Sequence, residues 1–209
     1  MKTFVYSFSR IIIRLYLKLY HRRKIYGKEN IPEEGKGMII ASNHASFLDP
    51  LAVGSCLKRH IYFLARTTLF QNNKFLGWWM ETVNTIPISR ERLGLKTIRK
   101  VKELCEEGKS VLIFPEGTRS KDGKLQSGLA GIGLFIDKIG ADVLPVYSDT
   151  YKAYPRDALV PRPKKIINYI GKVIKAETWK DLPSGREKYQ KIADDIMGEI
   201  AKLKPEDGM

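Results

Sequence analysis

From residue 38 onward, short apolar runs alternate with stretches long enough to form a helix. The runs are about five to ten residues long and rich in Val, Ile, Phe and Tyr, which is typical of buried strands. The candidate strands are Met38–Ser42, Ile61–Ala65, Thr85–Ser89, Ser110–Pro115, Val143–Ser148 and Lys165–Ile174. The candidate helices lie near residues 50–59, 67–80, 91–107, 127–139 and 186–203. This order predicts an α/β layered domain, in which helices flank a largely parallel or mixed sheet.

Basic charge is concentrated at the N-terminus. The sequence has 37 Lys and Arg against 23 Asp and Glu, a formal net charge of +14, and eight of the bases lie in the first 28 residues, where no acidic residue occurs. Such an excess indicates an anionic partner, such as an acidic carrier, anionic lipid, phosphate or nucleic acid. No nucleic-acid recognition motif is visible, and these bases alternate with apolar residues, so we do not expect nucleic acid as a partner.

Residues 1–24 combine apolar and basic character. Arg10, Arg14, Lys18 and Arg22 recur every fourth residue, so on a helix they span a sector of about 120°. Their charges interrupt the apolar run too often for a transmembrane span, and no cleavage site of a signal peptide follows. The pattern favours an amphipathic helix that lies on the cytoplasmic face of an anionic membrane. The alternative is a helix that packs its apolar side on its own domain and leaves its charges in water.

The three histidines differ in their surroundings. His21 belongs to the basic N-terminal segment, and we expect it to be solvated or to face lipid headgroups. His60 directly precedes a candidate strand, where a surface position is expected. His44 instead follows a candidate strand, at the kind of strand end where open α/β sheets form their sites.

Asp49 comes five residues after His44 and directly before Pro50. On one regular helix this spacing would point the two side chains about 140° apart, but a strand end that turns into a helix can bring them together. A carboxylate bonded to one imidazole nitrogen raises the basicity of the other, so that His44 could take a proton from a hydroxyl. The alternative is that Asp49 only caps the helix that follows it.

A second motif, Phe114-Pro-Glu-Gly-Thr-Arg-Ser120, directly follows another candidate strand. The glycine lets backbone N–H groups approach an oxyanion, and Arg119 supplies a fork of donors for it. The alternative is a turn in which Glu116 pairs with Arg119.

Several common catalytic and cofactor-binding patterns do not occur in the sequence. It has no Gly-x-Ser-x-Gly nucleophile elbow, no Walker A motif and no dinucleotide fingerprint. Cys56 and Cys105 lie far apart, and no Cys/His cluster has the spacing of metal ligands. We therefore expect no metal site, and we expect both cysteines to be small buried residues.

Taken together, His-x4-Asp and Phe-Pro-Glu-Gly-Thr-Arg-Ser resemble the glycerophospholipid acyltransferase family, in particular its 1-acyl-glycerol-3-phosphate (lysophosphatidate) acyltransferases. The resemblance implies an acyltransferase domain over residues 25–209, preceded by the amphipathic helix of residues 1–24. The matching blocks are Ile25–Pro32, Ile39–Pro50, Thr85–Arg90, Phe114–Ser120 and Val143–Val146.

The resemblance also implies roles for single residues. His44 corresponds to the general base of the family, and Asp49 to its orienting partner. The set that binds glycerol phosphate corresponds to Arg66, Arg90, Glu116, Gly117, Thr118 and Arg119. Two positions depart from the pattern, because Arg66 stands where many members have lysine, and Gln126-Ser127 stands where many have a basic pair. The second departure leaves the identity of the acceptor open.

The implied reaction moves an acyl group from a thioester, either acyl-CoA or acyl carrier protein, to the sn-2 hydroxyl of lysophosphatidate, giving phosphatidate. The expected partners are these two substrates and an anionic membrane surface, and the family uses neither a cofactor nor a metal. One alternative is the same fold acting on glycerol 3-phosphate or another lysolipid. The other is a lipid-binding protein without catalytic activity.

Overall fold

The structure is a computed structural model that describes residues 2–33, 35–68, 74–88 and 94–205. Its strands are β1 (Lys24–Tyr26), β2 (Ile39–Ser42), β3 (Ile61–Arg66), β4 (Thr85–Ile88), β5 (Ser110–Ile113), β6 (Val143–Asp149) and β7 (Ile167–Ile170). Its α-helices are α1 (Lys2–Leu19), α2 (Asp49–Gly54), α3 (Lys74–Thr82), α4 (Leu95–Glu106), α5 (Ala130–Ile139) and α6 (Arg186–Lys202). Short 3-10 helices occupy Lys28–Asn30 and Ala176–Trp179.

The described strands form one sheet in the order β1-β7-β6-β2-β5-β3-β4. Strands β2 to β6 run parallel to one another, β7 runs antiparallel to β6, and β1 is parallel to β7. The predicted mixed, largely parallel sheet is therefore confirmed. Because β2, β3, β5 and β6 all point the same way, the loops that follow them meet at one edge of the sheet.

Helices cover both faces of the sheet, so the central strands β2 and β5 are buried along their whole length. Alternate residues of β2 point to opposite faces: Ile39 packs with α4, α5 and α6, whereas Ile40 packs with α2. Each fully buried Ile or Leu side chain contributes about 1.5–3 kcal/mol relative to exposure. Gly133 lets α5 approach α6 closely, since a Cβ there would lie 1.8 Å from the carbonyl oxygen of Tyr189.

Differences from the predicted elements occur mainly at element ends. The strand predicted over 165–174 is shorter, and the helix predicted over 50–59 already ends at Gly54. β1 was not predicted, because a three-residue strand at the sheet edge carries no periodic signal. Cys56 and Cys105 are both buried, as predicted, and burial raises their pKa to about 11 and about 12, respectively.

The prediction for His21 was wrong. Its side chain is fully buried, with Nδ1 3.0 Å from the carbonyl oxygen of Lys164 and Nε2 3.1 Å from the hydroxyl of Tyr16. Burial lowers its pKa. The local sequence could not reveal this, since the covering segment comes more than 140 residues later. His60 is exposed, as predicted, and stacks on the ring of Tyr6.

Helix α1 packs on the domain through the side that carries its arginines. Arg14 donates from Nε and Nη2 to the carbonyl oxygens of Ser55 and Leu57, each at 2.9 Å, and Arg10 donates to a carbonyl nearby. Leu17 on the same side is fully buried. The guanidinium groups thus donate hydrogen bonds to carbonyl oxygens at and just beyond the C-terminal end of α2. This differs from the alternative in which α1 packs through its apolar side.

The outward surface of α1 is consequently apolar, and we call it the apolar side of α1. Its exposed side chains are Phe4, Phe8, Ile11, Ile12, Leu15 and Leu19. Among the residues that the structure describes, no helix has the length and apolar character needed to cross a membrane.

Candidate active site

His44 and Asp49 meet in the turn between β2 and α2. The distance between His44 Nδ1 and Asp49 Oδ2 is 2.9 Å. The chain leaves β2 at Ser42 and reverses before α2 begins, so the side chains converge in a way that no single helix would allow. The imidazole is 19% exposed, whereas the carboxylate is fully buried. The imidazole therefore lies partly in solvent, and the carboxylate supports it from the protein interior.

Four donors hold the Asp49 carboxylate. Besides His44, the backbone N–H groups of Ala45 and Ser46 donate to Oδ2 at 2.7 Å each, and the hydroxyl of Thr150 donates to Oδ1. The N-cap position of α2 is Leu48, and no side chain caps the helix. Asp49 therefore does not act as the N-cap that the alternative interpretation required, because its carboxylate points back into the turn.

The contact with Asp49 determines how the His44 ring can act. A carboxylate only accepts hydrogen bonds, so Nδ1 carries the proton and Nε2 of the neutral ring keeps a free lone pair. The ring stacks on Phe114, with 3.9 Å between centroids and 14° between planes. Nε2 has no hydrogen-bond partner among the described residues, so it is free to take a proton from a bound hydroxyl.

The 114–120 loop holds the backbone of His44 on both sides. The N–H of His44 donates to Glu116 Oε1 at 3.1 Å, and its carbonyl oxygen accepts from the N–H of Ser120 at 2.7 Å. The two sequence motifs are thus joined although His44 and Glu116 lie 72 positions apart. These bonds fix the base relative to the loop that carries Arg119.

Glu116 is buried and its carboxylate is engaged within the protein. Its second oxygen accepts from Gln126 Nε2 at 2.8 Å, and the same Nε2 lies 3.3 Å from the carbonyl oxygen of Thr118. Burial raises the pKa of Glu116 to about 7, although the bonds from Gln126 and His44 act in the opposite direction. In this geometry Glu116 is almost fully buried and holds the backbone of His44.

Arg119 offers an unused donor beside the base. Its guanidinium lies over the ring of Phe47, 3.5 Å from Cζ to the centroid. Its Nη1 is buried and has no hydrogen-bond partner among the described residues. Burial lowers the pKa of Arg119, nearby Arg156 lowers it further, and Asp49 raises it. An anion bound beside the guanidinium would relieve the repulsion between the two arginines.

A cavity of about 450 Å³ is lined in part by Arg119. Arg119, Arg156 and Lys121 supply three cations to its wall, and Asp122 supplies an acid that accepts from the backbone N–H of Lys124. The remaining lining residues are Thr118, Ser120 and Gln126. The cavity therefore suits an anion that carries hydrogen-bond acceptors.

The other predicted binding residues lie around the same edge. Gly117 has a left-handed φ of 68°, and a Cβ there would lie 2.5 Å from Leu129, so the turn requires glycine. Thr118 is exposed. Arg66 is the last residue of β3, and its positive charge is close enough to Arg119 to lower the pKa of Arg119. Arg90 lies outside the described residues.

Sequence reasoning missed two residues of this site. Arg156 belongs to the loop between β6 and β7, where no local pattern marks it as functional. Thr150 directly follows β6, and its place at the carboxyl end of a parallel strand was the available signal. Within the parts of the chain that the structure describes, no group of three or more His, Cys, Asp or Glu side chains could hold a metal ion.

The fold is similar to a solved structure. This is the crystal structure of the 1-acyl-sn-glycerophosphate (LPA) acyltransferase from Thermotoga maritima, with a TM-score of 0.68 and 23% sequence identity. The similarity covers 96% of this chain and 84% of that chain. At this identity the comparison shows the shared fold.

Curated proteins with related sequences include two bacterial 1-acyl-sn-glycerol-3-phosphate acyltransferases. The protein from Bacillus subtilis is 35% identical over 130 residues, which is 61% of this chain and 64% of that protein. The protein from Pseudomonas aeruginosa is 31% identical over 168 residues, or 75% of this chain and 60% of that protein. The matched regions thus span less than two thirds of the length of either relative.

A sequence model of the family described as Acyltransferase matches residues 22–149. The match begins just before β1 and ends with β6, so it includes the turn with His44 and Asp49 and the loop with Glu116 and Arg119. It covers more than half of the chain, and we conclude that this chain belongs to the acyltransferase family.

Proposed function

We propose that the chain transfers an acyl group from a thioester to the sn-2 hydroxyl of lysophosphatidate, forming phosphatidate. The observation that carries the proposal is the pairing of an oriented base, His44, with the unpartnered buried donor of Arg119 at one sheet edge. The imidazole can take the proton of the acceptor hydroxyl, and the guanidinium can bind the acceptor phosphate. The names of the two bacterial relatives support the same acceptor. The donor is acyl-CoA or acyl carrier protein.

In the proposed reaction, His44 Nε2 takes the proton of the acceptor hydroxyl while the oxygen attacks the thioester carbonyl carbon. The new C–O bond forms, the C–S bond breaks, and the proton passes from the imidazolium to the departing thiolate. Asp49 keeps Nδ1 protonated and stabilises the imidazolium. Arg119 and Arg156 hold the acceptor phosphate, so that the hydroxyl is presented to Nε2. No covalent acyl-enzyme is needed.

An acceptor panel assayed with the wild type and with Arg119→Ala tests this assignment. We expect the substitution to raise the KM for lysophosphatidate about 10- to 100-fold with little change in kcat, because a hydrogen bond to a charged group contributes about 1.5–3 kcal/mol. An acceptor without phosphate has nothing to pair with Arg119, so its turnover should not change. The measurement is steady-state transfer of radiolabelled acyl groups, from acyl-CoA and from acyl carrier protein.

The matched control is Arg99→Ala, which removes an exposed arginine from α4. Faster turnover of glycerol 3-phosphate, or of a phosphate-free lysolipid, than of lysophosphatidate would contradict the proposed acceptor. Absence of turnover with every pair of substrates would favour a lipid-binding protein instead.

The proposal includes the membrane at which the reaction takes place. Residues 1–24 are proposed as an interfacial helix that inserts the apolar side of α1 into the cytoplasmic leaflet, which is the anionic one. Two features support this. The arginines of α1 donate hydrogen bonds to carbonyl oxygens of the domain, and six large apolar side chains of the helix face outward. Burial of each such side chain contributes about 1.5–3 kcal/mol.

Replacement of Phe8, Ile12 and Leu15 by glutamine is expected to weaken binding to anionic vesicles by at least roughly tenfold, because three inserted side chains become polar. The melting temperature should change little, since all three are exposed. Deletion of the helix would be less informative because Leu17 is fully buried in the domain. Vesicle sedimentation measures the effect, and Leu95→Gln, at a side chain that is 81% exposed on α4, is the control. Unchanged sedimentation of the triple variant would contradict the proposal.

A further inference from the structure

The loop of residues 155–165, which we call the β6–β7 loop, presents two adjacent apolar side chains to water. Leu159 is 95% exposed and Val160 is 68% exposed. The loop is nevertheless tied down, since the N–H of Arg162 donates to the carbonyl oxygen of Ala153 at 2.7 Å. Within this chain the two side chains bury almost no apolar surface, so they add little to the stability of the loop. This indicates that they contact something else.

One side of the β6–β7 loop contacts the C-terminal end of α1. The hydroxyl of Tyr20 donates to the carbonyl oxygen of Pro161 at 3.1 Å, and Arg22 Nη2 lies 3.4 Å from the carbonyl oxygen of Pro163. Leu19, the last residue of α1, is 73% exposed. The tip of the loop therefore lies next to the end of the apolar side of α1.

The other side of the β6–β7 loop contacts the candidate active site. The ring of Tyr154, just before the loop, lies 6.0 Å from the ring of Phe47, on which Arg119 packs. The carbonyl oxygen of Tyr154 accepts from the hydroxyl of Ser46 at 2.9 Å. Arg156 Nη1 lies 3.5 Å from the carbonyl oxygen of Arg119. The loop thus connects α1 to the turn that carries the base.

Basic residues flank the apolar tip along the chain. The loop has one acidic residue, Asp157, and its basic residues are Arg156, Arg162, Lys164 and Lys165. All four bases are exposed, and none of them forms an ion pair among the described residues. An exposed apolar tip flanked by cations without ion-pair partners is complementary to a bilayer with anionic headgroups.

We propose that the β6–β7 loop is a second membrane-contact element, in which Leu159 and Val160 insert into an anionic bilayer while Arg162, Lys164 and Lys165 bind phosphate headgroups. The inference rests on the proposed function and extends it. Contact at both α1 and this loop fixes the tilt of the protein on the membrane. It places Arg119 and His44 beside the bilayer surface, where a lysophosphatidate phosphate and hydroxyl lie.

A fluorescent label at residue 159 tests insertion directly. Leu159→Cys adds an exposed thiol, and Cys56 and Cys105 are buried with raised pKa, so a thiol-reactive NBD dye labels the new site first. The wild type labelled in parallel gives the background, and Leu95→Cys provides an exposed site on α4. With vesicles of phosphatidylglycerol and phosphatidylcholine, emission at 159 should shift to the blue, while emission at 95 should not. No shift at 159, in protein that sediments with the vesicles, would overturn the proposal.

A second variant links the loop to turnover. Replacement of both Leu159 and Val160 by serine should lower kcat/KM for vesicle-embedded lysophosphatidate roughly tenfold, since two inserted side chains become polar. Turnover of a short-chain, water-soluble lysophosphatidate should be unchanged, because neither residue touches the base. Leu95→Ser is the matched control. Equal loss with both acceptor forms would overturn the loop proposal, whereas an inactive wild type would overturn the proposed function.

Discussion

Replacing His44 with alanine is expected to lower kcat for acyl transfer about 10²- to 10⁴-fold, the usual contribution of a positioned general base. The physical reason is that Nε2 is the unpartnered nitrogen of a ring whose Nδ1 is held by a buried carboxylate. Without the imidazole, the acceptor hydroxyl must attack while still protonated. Steady-state kinetics with lysophosphatidate and acyl-CoA measure the effect.

The same variant should still bind its acceptor. Arg119 is untouched by the substitution, so the Kd for lysophosphatidate should stay within a few-fold of the wild-type value. The control is His60→Ala, because His60 is an exposed histidine that packs on Tyr6, away from the 114–120 loop. Full activity in His44→Ala would end the proposed mechanism.

Replacing Asp49 with asparagine is expected to reduce both activity and stability. Both carboxylate oxygens of Asp49 accept hydrogen bonds, from donors on His44, Ala45, Ser46 and Thr150. The amide has the same shape, but its NH₂ group is a donor and would face other donors. We expect kcat to fall by no more than in His44→Ala, about 10²- to 10⁴-fold, because the imidazole loses its preferred tautomer and its charged partner. The free energy of unfolding should fall by about 3 kcal/mol, because buried donors lose a charged acceptor.

Comparison of the two variants separates catalysis from folding. Denaturant unfolding should detect a large loss for Asp49→Asn and a small one for His44→Ala, whose side chain is partly exposed. Asp142→Asn is a suitable control, because Asp142 also accepts from a lysine and a backbone N–H but lies outside the site. If Asp49→Asn kept wild-type activity and stability, Asp49 could not be the partner that orients His44.

The sequence predicted the order of the layers, because alternation between apolar runs and helix-length stretches reflects which residues a sheet and its helices must bury. It also predicted turns at the two loops of the candidate site, since Gly117 and the Asp49–Pro50 pair mark turns through their own conformational preferences. Element ends were less predictable. The short strand β1 forms only because β7 offers it a hydrogen-bonding edge.

The arrangement of the candidate site was predictable in part. Residue types and spacing indicated a base and a phosphate-binding arginine, but they did not distinguish residues that face substrate from residues that support others. Glu116 illustrates the limit, because its carboxylate is buried and holds the backbone of His44. Gln126 appeared in the sequence only as a departure from the family pattern, yet it donates to Glu116.

Features that depend on neighbouring residues were thus determined by the sequence itself: the alternation of strands and helices, the His-x4-Asp turn and the glycine turn at Gly117. Features that depend on distant segments were decided only by the tertiary structure. They are the inward arginines of α1, the burial of His21, the unused donor of Arg119 and the apolar tip of the β6–β7 loop. The physical reason is that burial and hydrogen-bond pairing belong to contacts between segments far apart in the chain, whereas turn and strand preferences are local.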